Sequence, residues 1–248
     1  MDHNELPKVS IITSVFNAEN TLEKCIISVK HQTYPNLEYI VIDGGSSDKS
    51  VEIIKNYNDV VTVWKSEPDE GIYDAWNKGL QRATGEWILF LGADDVLKPN
   101  ALMDLLACHS KETLAKADYI SGRSEIVKNN QVINITGFPW SWARFRKFMC
   151  TAQCGALHSR KLYQEVGVYD ISFKIAGDYE LLLRKGKNLR ALFVDSVVVS
   201  FRLGGASNRD NRVIWETKRA ILKNKSLSYV QAYFNSFRTL AAKFLKGL

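Results

Sequence analysis

The sequence predicts an α/β fold: a Rossmann-like, mostly parallel central sheet flanked by helices, a mixed second half, and an amphipathic helix at the carboxyl end. Two observations carry this. Over residues 7–110, short runs rich in β-branched and aromatic residues alternate with stretches of helical spacing, the pattern of right-handed βαβ units. The run Trp87-Ile88-Leu89-Phe90-Leu91 is too short for a buried helix and apolar throughout, so it reads as a central strand covered on both faces. That strand ends in Gly92-Ala93-Asp94-Asp95. Open α/β sheets bind ligands at the carboxyl ends of their strands, and two adjacent acids there suit a hard divalent cation that shares oxygen ligands with phosphate. The alternative is that the two acids only cap the next helix or solvate a loop.

Taken in order, residues 9–13 read as a first strand and residues 18–32 as a helix burying Leu22, Ile26, Ile27 and Val29. Residues 38–43 form a second strand ending in Asp43, and Gly44-Gly45-Ser46-Ser47-Asp48 turns the chain into a helix from about residue 49, capped by Ser47 or Asp48. A third strand covers residues 60–65. After the turn at residues 66–71, a helix runs from 72 to 82 and stops before Gly85. Pro99 suits the first turn of a helix over residues 99–109. The pattern then changes: short strands at 119–122 and 124–128, a hairpin turn at Asn129-Asn130, and a strand at 131–136 make the second half mixed. A Trp- and Arg-rich loop at 138–146, helices at 160–166 and 178–187, and a last strand at 191–201 complete it.

With 248 residues, 46% of them hydrophobic, the chain can bury a full core. We expect a main domain over 1–208, with halves at 7–110 and 111–208, and a basic helical tail over 209–248. Cys25, Cys108, Cys150 and Cys154 are scattered, and the pair 150/154 lacks a second pair or His cluster for zinc, so reduced thiols and a cytoplasmic setting are expected. The polar amino end does not read as a secretory signal, and no apolar run approaches the ~20 residues that cross a bilayer. The net charge of +6 is concentrated in residues 209–248, which hold nine Lys or Arg against Asp210 and Glu216. A basic tail on a neutral body points to an anionic lipid surface rather than to nucleic acid.

Three early strands end in polar groups at one edge: Thr13 with Asn17, Asp43, and Asp94 with Asp95; the loop over 67–71 joins them. The chain has neither a Gly-x-x-x-x-Gly-Lys phosphate loop nor a Gly-x-Gly-x-x-Gly fingerprint, which argues against an NTPase or a dinucleotide oxidoreductase. Over residues 7–207 the sequence resembles the family-two nucleotide-sugar glycosyltransferases of the GT-A fold. The resemblance rests on Val9-Ser10-Ile11-Ile12-Thr13 with Asn17, Asp43-Gly44-Gly45-Ser46-Ser47-Asp48, Asp69-Glu70-Gly71-Ile72-Tyr73-Asp74-Ala75-Trp76-Asn77-Lys78-Gly79, residues 85–95, and Gly177-Asp178-Tyr179-Glu180.

The resemblance implies that residues 7–110 bind the nucleotide and 111–208 face the acceptor. Asp43 would accept from the base, most often uracil, in a pocket formed with Thr13, Phe16 and Asn17. Asp69, Gly71 and Asn77 would line the donor side, Asp94 and Asp95 would hold Mn²⁺ or Mg²⁺ against the diphosphate, and Asp178 would be the catalytic base of an inverting transfer. Two positions depart from the family pattern. Gly92 stands where the metal motif usually begins with an acid, and Gly177 where an acid often precedes the base; Glu180 is a poorer alternative base.

His31, His109 and His158 show no metal spacing, although His158 lies in a segment the family places near the acceptor. Trp140, Trp142 and Arg144 could stack on a sugar or lipid phosphate, or simply pack. In the tail, Val230, Tyr233, Phe234, Phe237, Leu240, Ala241, Phe244, Leu245 and Leu248 recur at helical spacing opposite Arg238, Lys243 and Lys246. Such a face suits an interfacial membrane helix at the inner face of the plasma membrane, near lipid-linked glycan acceptors, or packing on the body or in a homodimer. Two other functional classes stay open at this point: a sugar-phosphate nucleotidyltransferase, and a non-catalytic nucleotide-sugar-binding module at a membrane.

Overall fold

The computed structural model describes residues 6–203 and 212–235. Four strands form its parallel half: β1 (Val9–Val15), β2 (Leu37–Asp43), β3 (Val63–Ser66) and β4 (Trp87–Gly92). They are linked by α1 (Leu22–Lys30), α2 (Ser50–Asn56) and α3 (Ile72–Arg82). The sheet continues through β5 (Val96–Leu97), β6 (Tyr119–Lys128), β7 (Gln131–Thr136), β8 (Leu157–Ser159) and β9 (Ala191–Arg202), in the order β3-β2-β1-β4-β8-β6-β9-β5 with β7 on β6. β1 pairs in parallel with β2 and β4, and β2 with β3; antiparallel pairing begins where β8 meets β4. The sheet is thus parallel in its first half and mixed in its second, as expected. Helices α4 (Ala101–Ala107), α5 (Lys111–Lys116), α6 (Trp142–Phe145), α7 (Arg160–Val166) and α8 (Gly177–Lys185), and a further helix at Arg212–Lys223, complete the described elements used below.

Side chains alternate across the strands, so one sequence feeds two cores. Val9, Ile11 and Val15 of β1 and Trp87, Leu89 and Leu91 of β4 pack with Leu22, Ile26 and Val29 of α1 and Leu102 and Leu105 of α4. Ile12 and Ile88 with Phe90 face the other way, onto Tyr73 and Trp76 of α3 and Leu181 and Leu182 of α8. The 212–223 helix buries Ala220 and Ile221 in this second core. Its basic residues therefore ride on a helix packed against the body. Of the tail face read from the sequence, Val230, Tyr233 and Phe234 are exposed; Phe237 and the residues beyond it lie outside the described residues, as do 204–211.

Several boundaries differ from the sequence reading for identifiable reasons. The first helix begins at Leu22 rather than at 18; residues 19–21 form a turn, and the Ala18 and Glu19 N–H groups donate to Ser50 Oγ and Asp48 Oδ2 of the neighbouring loop. Pro99 lies outside α4, which begins at Ala101 with Asn100 as its cap residue. The strands expected at 119–122 and 124–128 are one strand, β6, whose pairing with β9 shifts register near Arg123. The hairpin turn falls as read: Asn129 (φ 50°) and Asn130 (φ 61°) both adopt the left-handed conformation a two-residue turn requires. The short elements β5, α5, α6 and β8 left no periodic signal. Among the described residues no helix is long and apolar enough to cross a membrane.

Gly79 lets α3 lie close to β1, since a Cβ there would sit 2.4 Å from Ile12 Cγ2. Gly79→Ala should therefore destabilise by roughly 1–3 kcal/mol through overpacking, although alanine favours an isolated helix by about 1 kcal/mol. The check is a lower urea midpoint at unchanged slope.

Candidate active site

The register of the parallel strands assembles the site. Val15 lies opposite Asp43 and Ser14 opposite Gly92, so the loops leaving β1, β2 and β4 open on one edge. The turn after β4 is closed by the Asp95 N–H donating to the Gly92 carbonyl at 3.1 Å. Asp95 is 2% exposed, and its Oδ1 accepts from the Arg202 N–H at 3.2 Å. Burial raises the pKa of Asp94, and burial together with the Asp94 charge raises Asp95 to about 7. A Cβ on Gly92 would lie 2.8 Å from Asp95 Oδ2 and 2.9 Å from Asp94 Oδ1. Both carboxylates thus converge on the space that a side chain at 92 would occupy.

Two converging carboxylates, each disfavoured as an unpaired anion, fit a hard divalent cation. Among the described residues no cluster of three His, Cys, Asp or Glu offers a full cage. A cation held by Asp94 and Asp95 would take its other ligands from diphosphate and water.

Two adjoining cavities meet at this turn. The larger, about 1010 Å³, is lined by residues 14–17 after β1, with Gly44, Asp69, Gly71, Asp94 and Arg202. Phe16 stands 66% exposed at its wall. Asn17 (φ 49°) is pinned, its Oδ1 accepting from the Ser47 N–H at 2.9 Å and its own N–H donating to Ser46 Oγ at 2.8 Å. Asp69 Oδ1 accepts from the Gly71 N–H at 2.8 Å, and its Oδ2 leaves no room for a Cβ on Gly44, at 2.4 Å.

Of the residues expected on the donor side, Phe16, Asn17, Asp69, Gly71 and Asp94 line this cavity. Thr13, Asp43 and Asn77 are not among the residues lining either cavity. Their polar atoms are spent inside the fold. Thr13 Oγ1 accepts from the Tyr39 hydroxyl at 3.1 Å. Asp43 is fully buried and accepts from the Gly45 and Ser46 N–H groups, both at 3.1 Å, and from the Ser46 and Ser66 hydroxyls, so it ties the turn together beneath the cavity. Asn77 exchanges two hydrogen bonds with the Tyr169 backbone, at 2.9 and 3.0 Å.

The second cavity, about 560 Å³, brings Asp94, Asp95 and Asp178 together. Asp178 stands in the first turn of α8, where its Oδ1 accepts from the Tyr179 N–H at 2.8 Å and from the Tyr73 hydroxyl at 3.2 Å. Burial lifts its pKa to about 6. Glu180, the poorer alternative, lines neither cavity. It is fully buried and, against the upward push of burial, its ion pairs with Arg184 and Lys223 hold it below the usual range. Gly177 has a packing reason, because a Cβ there would sit 2.7 Å from the Tyr73 ring.

Sequence reasoning missed four residues. Arg202, at the end of β9, lines the larger cavity and attracts Asp94; Lys174, Gln153 and Tyr73 line the second cavity. Tyr73 lay inside a quoted motif, but nothing in the string said that it would meet residue 178, 105 positions away. His158 is buried between Tyr163 and Gln153, a core histidine. Trp140 packs on Phe145 with ring centroids 4.3 Å apart, and neither it nor Trp142 nor Arg144 lines either cavity.

The fold and the sequence both have recognisable relatives. A PGL/p-HBAD biosynthesis glycosyltransferase of Mycobacterium tuberculosis is 29% identical over 218 residues, covering 82% of this chain and 80% of its own. An uncharacterized glycosyltransferase of the same organism is 31% identical over 208 residues, covering 82% and 78%. Among solved structures, S. aureus TarS 1–349 in complex with UDP-GlcNAc superposes with a TM-score of 0.71 at 18% identity, over 96% of this chain and 72% of that one. The mannosyltransferase PcManGT from Pyrobaculum calidifontis, in complex with GDP-Man and Mn²⁺, superposes with 0.58 at 18% identity, over 98% and 77%. These likenesses show a GT-A fold. The glycosyl transferase family 2 model matches residues 10–165, from β1 through the strand-end acids and β6 to β8 into α7, and the chain therefore belongs to that family and is a glycosyltransferase.

Proposed function

We propose that the protein transfers one sugar from a nucleoside diphosphate sugar, a UDP-sugar first among them, to a hydroxyl of a glycan or lipid-linked acceptor in bacterial polysaccharide or cell-envelope synthesis, with inversion at the anomeric carbon. The observation that carries this is the second cavity, lined by Asp94, Asp95 and Asp178, which meets the larger one at Asp94. The UDP-GlcNAc complex of TarS and the GDP-Man and Mn²⁺ complex of PcManGT support the donor class and the cation.

The donor's nucleoside would rest against residues 14–17, and its diphosphate near Arg202 and the Asp94 turn. Bound Mg²⁺ or Mn²⁺, held by Asp94 and Asp95, would supply Lewis-acid stabilisation of the departing diphosphate. Asp178 takes the acceptor hydroxyl proton as the new C1–O bond forms and the C1–O bond to phosphate breaks. A sugar hydroxyl is a poor nucleophile, and a placed base contributes about 10²- to 10⁴-fold. A base on the face opposite the leaving group makes this a single displacement, so an α-linked donor gives a β-linked product.

A membrane setting is part of the same proposal. Trp215, Tyr229, Val230 and Phe234 are exposed, and the Lys218 ammonium lies over the Trp215 and Tyr233 rings at 4.3 and 4.0 Å. Aromatic and basic side chains on one surface suit anionic headgroups.

Five outcomes test this reading. Asp178→Asn should cut transfer by about 10²- to 10⁴-fold. In the wild type the rate should fall about tenfold per unit as pH drops below about 6, where the base becomes protonated. Because the folded-state pKa of Asp178 is raised, its ionisation weighs against folding above about pH 6, so the same variant should melt higher at pH 8 than the wild type. In thermal-shift measurements with UDP-, GDP- and dTDP-sugars, one donor should raise the melting temperature more with Mn²⁺ than without, and Asp94→Asn should remove the Mn²⁺ increment. A chain lacking residues 226–248 should lose binding to anionic vesicles while still hydrolysing donor; unchanged vesicle binding refutes the membrane role.

A further inference from the structure

The helix that carries Asp178 has no cap of its own, since Ala176 at its N-cap offers no side-chain acceptor. The three residues that lead into it are held by another element. Glu216, on the 212–223 helix, receives three consecutive backbone N–H groups. Its Oε2 accepts from Lys174, Ile175 and Ala176 at 3.1, 2.8 and 2.9 Å, and its Oε1 from Lys174 at 2.9 Å. The same helix face holds the residues just before these. Arg219 donates to the Ser172 carbonyl at 3.3 Å and lies 4.2 Å over the Phe173 ring, and Lys223 donates to Asp170 Oδ2 at 2.7 Å.

What this segment fixes is the reaction cavity. The Ile175 carbonyl accepts from the Tyr73 hydroxyl at 2.7 Å, and that hydroxyl touches Asp178. Lys174 Nζ donates to the Glu70 carbonyl at 2.6 Å, bridging to the donor loop at the cavity wall.

We propose that Glu216 is a positioning residue for the transfer step: by gathering the N–H groups of 174–176 it sets where Asp178 and Lys174 stand. Glu216 lies beyond the 10–165 span of the family match and is one of only two acids in residues 209–248. The inference rests on Asp178 being the base.

A negative charge beside the first turn also acts on Asp178, adding to the effect of burial. The other titratable groups facing Asp178 are Tyr73 of α3, Tyr119 of β6, Tyr169 before α8 and Cys154, all raised by burial and uncharged near pH 6. Lys174, Asp94 and Asp95 share the cavity.

The test uses the full chain as wild type, E216Q, E216A and D178N. Rates are UDP release from UDP-GlcNAc with Mn²⁺, and the Asp178 carboxyl is titrated by ¹³C NMR, with D178N identifying its resonance. E216A should lower kcat about 10- to 100-fold with the donor KM within about threefold, as a misplaced base does. E216Q, which keeps one acceptor oxygen, should lose less, and both should move the Asp178 midpoint to lower pH. A variant that melts lower yet keeps the wild-type kcat and midpoint overturns the proposal. Should E216A not fold, E216Q decides by the same readouts. The titration needs no donor and decides alone if UDP-GlcNAc is not turned over. Wild-type UDP release in D178N would sink the base assignment and leave the Glu216 contact standing.

Discussion

The register of β1 between β2 and β4 is the constraint on which the site depends. With Val15 opposite Asp43 and Ser14 opposite Gly92, three loops open at one edge and the acids after β4 face the loop after β1. Slipping one strand by a residue would reverse which side chains face which core. Ile12 would leave the face of Gly79, and the alternating sets Val9, Ile11, Val15 and Trp87, Leu89, Leu91 would lose their partners on α1 and α4. The two cores enforce the register, and the register assembles the cavity.

Within that frame the protein treats its buried carboxylates in two ways. Glu38 is held down to about 2 because, against burial, Lys8, Ser10 and Thr84 all bond to it, and Asp118 is held down by a two-pronged contact with Arg190. Those acids are structural. Asp94, Asp95 and Asp178 are raised instead, since burial outweighs their few partners. Leaving them short of donors costs stability in the free protein.

Gly92 and Gly177, where the sequence departs from the family pattern, have the same explanation. Asp94 and Asp95 fill the space next to Gly92, and the Tyr73 ring fills the space next to Gly177. A side chain at either position would displace a group that lines the second cavity.

The parallel half was legible in the string because its signals are local. Continuous apolar runs mark β1, β2 and β4, helical spacing and Gly71 mark α3 at Ile72–Arg82, and Asn129-Asn130 marks the hairpin. Asp94, Asp95 and Asp178 were likewise found in motifs, because chemistry restricts which residue types can stand there. The fate of Thr13, Asp43 and Asn77 could not be read, since whether a polar side chain faces ligand or is consumed within the fold depends on partners such as Tyr39, Ser66 and Tyr169, remote in sequence. Nor could the role of the 212–223 helix: composition marked it as basic, while Glu216 acquires its meaning only from the three N–H groups that packing brings to it. The sequence by itself determined the fold class, the strand-end acids and the family. Tertiary structure alone decided which polar groups are left unsatisfied, because hydrogen-bond satisfaction is a property of contacts in space and not of order along the chain.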